Sequence, residues 1–136
     1  MKFKKLNGGI ANVNVSQYRI NWDRSVSAPQ KKVKDFLRPF WAGHVILEEA
    51  RIPGSLLRVD LINLTRHIAV EVSPKGSHSF NPFFHKNRPK FGAAMHRELD
   101  KAAWLEANGF KLVEVFEEDF DKLSPAWFLE TYGITL

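Results

Sequence analysis

Two acids stand inside otherwise apolar runs: Asp60 in LLRVDLI and Glu71 in IAVEVS, eleven positions apart across a turn expected at Asn63–Arg66. A carboxylate in mid-strand loses hydration among Val, Leu and Ile, and a divalent cation compensates that loss well. Alternation puts Arg58, Asp60 and Ile62 on one face of a strand, and Ala69, Glu71 and Ser73 on one face of the next. Paired as a hairpin with those faces matched, the two carboxylates converge. A magnesium site suits that geometry, with a phosphodiester as its usual client. The competing reading has each acid facing solvent or paired with Arg58 or Arg66.

Other candidates surround the pair. Glu48–Glu49 must send one side chain to each face of its strand, so one of them, Glu49 by our reading, points toward the site as ligand or neighbour. Between Pro74 and Arg97 the chain carries five Lys/Arg, three His and no acid. Without cysteine and at irregular spacing, His78, His85 and His96 do not read as a zinc site. A histidine just after the metal strand suits acid–base work, His78 first and His85 second, with phosphate binding as the alternative. Lys75, His85, Lys86, Arg88, Lys90 and Arg97 are candidate DNA contacts. The lysines and Arg88 interleave with Phe80, Phe83, Phe84 and Phe91, a pattern suited to backbone contact and base stacking. The plainer account tucks some of those rings under the loop. Arg97 and Asp100 can also simply pair across a helical turn.

The elements that must position these groups follow from pattern. Ser27 caps a helix with Pro29 in its first turn, running to about Arg38 before Pro39, with Val33, Phe36 and Leu37 inward and Lys31, Lys32 and Lys34 in solvent. Strands are expected near 44–52, 56–64 and 67–73, then a loop over 74–91. A helix over about 92–107 ends at Asn108–Gly109, a strand spans 110–116, and Ser124 caps a closing helix. Residues 10–22 alternate as one or two strands. The result is an α/β (α+β) single domain, 1–136: an N-terminal β extension (1–26), a core (27–118) and a C-terminal helix (119–136). Its order is helix, three-strand meander, helix, strand, helix around a central mixed sheet.

Composition bounds the class. With 136 residues, 44% hydrophobic and 26% charged, one core is expected. No apolar run approaches a membrane span, and MKFKKLNGG lacks the apolar stretch of a signal peptide. Absence of cysteine excludes disulfides and fits a cytoplasmic location. Residues 1–97 carry seventeen Lys/Arg against six Asp/Glu, and residues 98–136 three against nine. Such a basic excess suits a polyanionic partner.

This order of elements, with Asp on the second core strand and Glu on the third, resembles the PD-(D/E)XK nuclease superfamily over residues 27–118. Within it, the chain looks most like the small branch related to very-short-patch repair endonucleases of bacteria and phages. RIPGSLLRVDL resembles the strands leading to the first metal carboxylate, and IAVEVSPKGSH the third strand with its trailing histidine, His78. RELDKAAWLEANGFKLVEV resembles the following helix and strand, with Arg97, Asp100 and Lys101 on the polar face. The resemblance implies a metal-dependent DNA endonuclease, in which Asp60, Glu71 and the Val72 carbonyl hold Mg²⁺, or Mn²⁺ in its place.

Two positions depart from the pattern. Ser73 stands where the motif lysine is usual, so Lys75 or Lys101 must supply that cation, or His78 works without one. Gln30 stands where many members carry a Glu in the first helix. The departures keep open an alternative, a nuclease-like fold retained as a DNA-binding or inhibitory protein. RNA as target and a homodimeric assembly also stay open.

Overall fold

Local capping sets the first helix. In the computed structural model, which describes residues 1–73 and 88–136 (backbone alone for 88–96), Ser27 Oγ accepts the Gln30 N–H at 3.3 Å and opens α1, Ala28–Trp41. The helix runs through Pro39 rather than stopping before it. Proline removes one N–H, but Ala42 N–H still reaches the Arg38 carbonyl at 3.0 Å, and the last turn buries Trp41 completely. Lys34, expected in solvent, is also fully buried. Its ammonium donates to the Asn21 carbonyl at 2.5 Å, to the Arg24 carbonyl, and to Glu48 Oε2 at 2.6 Å. Three acceptors match the three donors of an ammonium, so the buried charge is fully partnered.

Ahead of α1, the N-terminal segment forms a hairpin, β1 (Lys2–Lys4) with β2 (Ile10–Asn12), and then a 3-10 turn at Val15–Tyr18. Of the one or two strands expected over residues 10–22, one forms, and the 3-10 turn follows it. Asn14 caps the turn by accepting from Ser16 N–H, and the chain then reaches the main sheet, with Arg19 bridging to Leu47 and Ile20 N–H donating to the Ile46 carbonyl at 3.0 Å.

Four strands make that sheet: β3 (Ile46–Arg51), β4 (Arg58–Asn63), β5 (Ile68–Ser73) and β6 (Lys111–Phe116), in spatial order β3-β4-β5-β6. The first two pairings are antiparallel and β5–β6 is parallel, so the sheet is mixed. The crossover between the parallel strands is α2, Arg88–Ala107, which starts about four residues earlier than the sequence pattern suggests. Gly109 ends it at φ +77°, a conformation that suits glycine, as Phe110 N–H returns to the Leu105 carbonyl at 2.9 Å. After β6 a 3-10 segment, Glu117–Lys122, leads to α3, Pro125–Tyr132, capped by Ser124 Oγ on Trp127 N–H at 3.0 Å.

Period-2 alternation splits the sheet's apolar residues between two cores. Ile46, Leu61, Val70, Val113 and Val115 meet Val33, Leu37 and Trp41 of α1 and Phe128 of α3. On the other face Leu47, Ile62 and Ala69 meet Trp104 and Leu105 of α2, with Phe3 of β1 and Phe110. Trp104 Nε1 donates to the Lys4 carbonyl at 2.6 Å, tying the hairpin to α2. The functional candidates Asp60 and Glu71 belong to this second face, under α2.

Candidate metal and phosphodiester site

The β4–β5 register pairs Leu61 with Val70, Ile62 with Ala69 and Asn63 with Ile68. One more step brings Asp60 opposite Glu71. There the ladder stops, and side chains take over from backbone pairing. Asp60 N–H donates to Glu71 Oε2 at 3.2 Å, and Val72 N–H donates to Asp60 Oδ2 at 2.8 Å. An extended residue points its N–H and C=O toward the same edge, so the Val72 carbonyl also faces the gap toward β4.

Lys101 comes to the pair from α2. Its ammonium lies 2.9 Å from Glu71 Oε1, with both side chains largely shielded from water. The contact is an ion pair by distance, yet Glu71 Oε1 is buried without a hydrogen bond of good geometry. Ser73 follows Glu71 on the same face of β5, so a lysine from the helix stands beside the carboxylates where the strand has none.

Charge is costly here. Burial, then the Glu71 charge and its hydrogen bond, push the Asp60 carboxyl up to about 8, with Glu49 adding to the rise and the Val72 N–H opposing it. For Lys101, burial works against the ammonium, but Glu71 above all, then Glu98 and Asp60, outweigh it and raise its pKa. The resting arrangement thus balances two carboxylates with one lysine and one proton. Such a pair, with one buried oxygen lacking a hydrogen bond, fits a hard divalent cation that takes oxygen ligands and keeps several waters.

Glu49 is a different matter. The β3–β4 register pairs Glu48 with Leu61 and Ala50 with Val59, which sets Glu49 across from Asp60. Its backbone sits at φ +51°, unusual for a non-glycine residue, and the ladder skips it. Among the described residues no three His, Cys, Asp or Glu side chains converge as a metal cage. Glu49 stands beside the pair as the neighbour the sequence suggests, and its charge reaches Asp60. Glu48 goes elsewhere, accepting from Asn21 N–H at 2.7 Å and from Lys34. Sequence reading missed Glu114, the parallel register partner of Glu71 on β6 and a further acid at the same level of the sheet. Its signal was the alternation in KLVEVF, which puts an acid between two inward valines.

Gln30 is buried in α1 with Nε2 unpartnered, and α1 packs on the sheet face opposite that of Asp60 and Glu71. Arg97 is exposed and Asp100 half-buried on α2. Arg88 and Lys90 fall in the first turn of that helix. Lys75, His78, His85 and Lys86 lie outside the described residues.

The chain is 34% identical over 64 residues to uncharacterized protein 033L of Invertebrate iridescent virus 3, a match covering 47% of this chain and 33% of that protein. No family model matches the chain, and no solved structure matches it.

Proposed function

We propose that the chain is a divalent-metal-dependent endonuclease that hydrolyses phosphodiester bonds in DNA. One observation carries the reading: Asp60 and Glu71 come together on one sheet face with Lys101 against them, and a lysine and a proton are needed to offset the two carboxylates. Asp60, Glu71 and the Val72 carbonyl would hold Mg²⁺ or Mn²⁺, with Asp60 giving up its proton to do so. When bound, such a cation neutralises charge on the phosphate and lowers the pKa of an attacking water. Lys101, held by its ion pair with Glu71, would stabilise negative charge that develops on the phosphoryl oxygens. His78 is the candidate for moving a proton to or from the reacting oxygen. The basic stretch that contains Lys75, Lys86, Arg88 and Lys90 would track the DNA backbone.

No helix among the described residues is long and apolar enough to cross a membrane, and action on DNA in the cytoplasm, of a host cell if the gene is viral or phage-borne, is part of the same proposal. The test is incubation of the purified protein with supercoiled, single-stranded, branched and RNA substrates in Mg²⁺, Mn²⁺ or EDTA. Metal-dependent nicking or cutting of DNA supports the reading. DNA binding without cleavage in either metal favours the non-enzymatic alternative, and cleavage of RNA alone moves the substrate class.

A further inference from the structure

The tip of the β3–β4 hairpin carries a second feature beside the carboxylates. Arg51 and Arg58 are direct register partners at the end of the ladder, both exposed. Like charges directly opposite on a sheet repel each other. Among the described residues Arg58 makes no ion pair or hydrogen bond, and Arg51 makes one, from its Nε to the Ser55 carbonyl at 2.6 Å, which fixes its stem. Pleating puts Arg58 on the same face as Asp60, two residues or roughly 7 Å along β4.

Between the arginines the loop is tightly tied. Ile52 N–H reaches the Leu57 carbonyl at 2.8 Å, Ser55 N–H the Ile52 carbonyl at 3.1 Å, and Leu57 N–H the Ser55 hydroxyl at 3.0 Å. Gly54 holds φ +82°, and Ile52 is wholly buried as an anchor. On this rigid loop Leu56 is 83% exposed, the most exposed large apolar side chain among the described residues. Single exposed leucines are ordinary. This one sits on a stiff loop between two arginines that form no ion pair among the described residues, at the end of the strands that carry Glu49 and Asp60.

We propose that this hairpin tip seats duplex DNA: Arg51 and Arg58 take backbone phosphates, and Leu56 presses between base steps as an apolar wedge, feeding the strand toward Asp60 and Glu71. The inference rests on the reading of the protein as a DNA-acting enzyme. Apolar wedges flanked by basic residues unstack and kink duplexes in this way, and arginine is well matched to phosphate.

The test uses the full chain in EDTA, where no metal-dependent cutting interferes. Duplex affinity is measured against salt for the protein, for Arg51→Gln/Arg58→Gln and for Arg51→Lys/Arg58→Lys. Unwinding is measured by relaxing a closed plasmid with a metal-independent topoisomerase in the presence of the protein or of Leu56→Ser. Thermal melts confirm that each variant is folded. The Gln pair should lower the log–log salt slope by about 2 units, at roughly 0.9 per phosphate, and the Lys pair should restore it. Leu56→Ser should keep the slope and lose the linking-number change. An unchanged slope in the Gln pair, or full unwinding by Leu56→Ser, overturns the proposal while leaving DNA binding and cleavage by the parent protein intact. A parent protein that binds no duplex DNA, or only RNA or an acidic protein, overturns it together with the functional reading beneath it.

Discussion

Metal-free protein should lose stability as pH rises from about 4 to about 8, and Asp60 should be the reason. Its carboxyl releases a proton near the ordinary value of 3.8 in the unfolded chain but only near 8 in the folded one. Between those values the native state binds the extra proton, so unfolding becomes easier as pH rises, and the effect levels off above the folded value. Four units at about 1.4 kcal/mol each set a ceiling of roughly 5–6 kcal/mol. Water at the partly exposed carboxyl reduces this to about 2–3 kcal/mol. Lys101 stays charged in both states across this window and adds no slope. The assay is urea unfolding in EDTA at pH 4.5, 6, 7 and 8.5 for the parent protein and Asp60→Asn. The stability difference between them should shift by about 2–3 kcal/mol against the parent from the lowest to the highest pH. Saturating Mn²⁺ at pH 8.5 should return stability to the parent and not to Asp60→Asn. A difference that stays flat across the series refutes the assignment of the proton to Asp60.

Lys101→Met should destabilise the fold by about 2–4 kcal/mol by leaving Glu71 buried and unpaired, and adding Glu71→Gln should recover part of that loss in a double-mutant cycle. The same Lys101→Met variant should slow single-turnover cleavage at saturating Mg²⁺ on the order of 10²-fold. His78→Ala should slow it by a similar order while leaving duplex affinity in place, the usual scale for a general acid or base; normal cleavage by His78→Ala with a dead Lys75→Ala would transfer the role to Lys75. Lys34→Met should cost about 3–5 kcal/mol in urea unfolding, because Glu48 and two backbone carbonyls lose their shared donor. Glu48→Gln in that background should cost little more, since the pair is already broken.

Much of this arrangement is legible in the chain because it is local. Ser27, Ser124 and Gly109 mark helix ends through short-range hydrogen bonds, and the structure realises all three. The convergence of Asp60 and Glu71 follows from period-2 alternation, which puts both acids on one face, and a short turn, which keeps the two strands close to this register. The mixed sheet flanked by helices follows from the order of elements. What escaped depends on distant partners. Lys34 reads as a solvent charge until the chain at Asn21 and Arg24 and a strand acid at Glu48 gather around it. Pro39 reads as a stop until burial of Trp41 carries the helix past it. Lys101 reads as one of several cations, and only the crossover from β5 to β6 through α2 sets it against Glu71. The twist of Glu49 to positive φ has no signature in the sequence.

The most direct measurement is Mg²⁺-dependent nicking of supercoiled DNA by the parent protein, Asp60→Asn and Glu71→Gln, with duplex binding measured alongside. If the two carboxylates hold the cation as proposed, removing either takes away a ligand and no phosphate contact, so both variants should bind DNA near the parent affinity and fail to cut in Mg²⁺ or Mn²⁺. Full Mg²⁺-dependent cleavage by either variant would contradict the account.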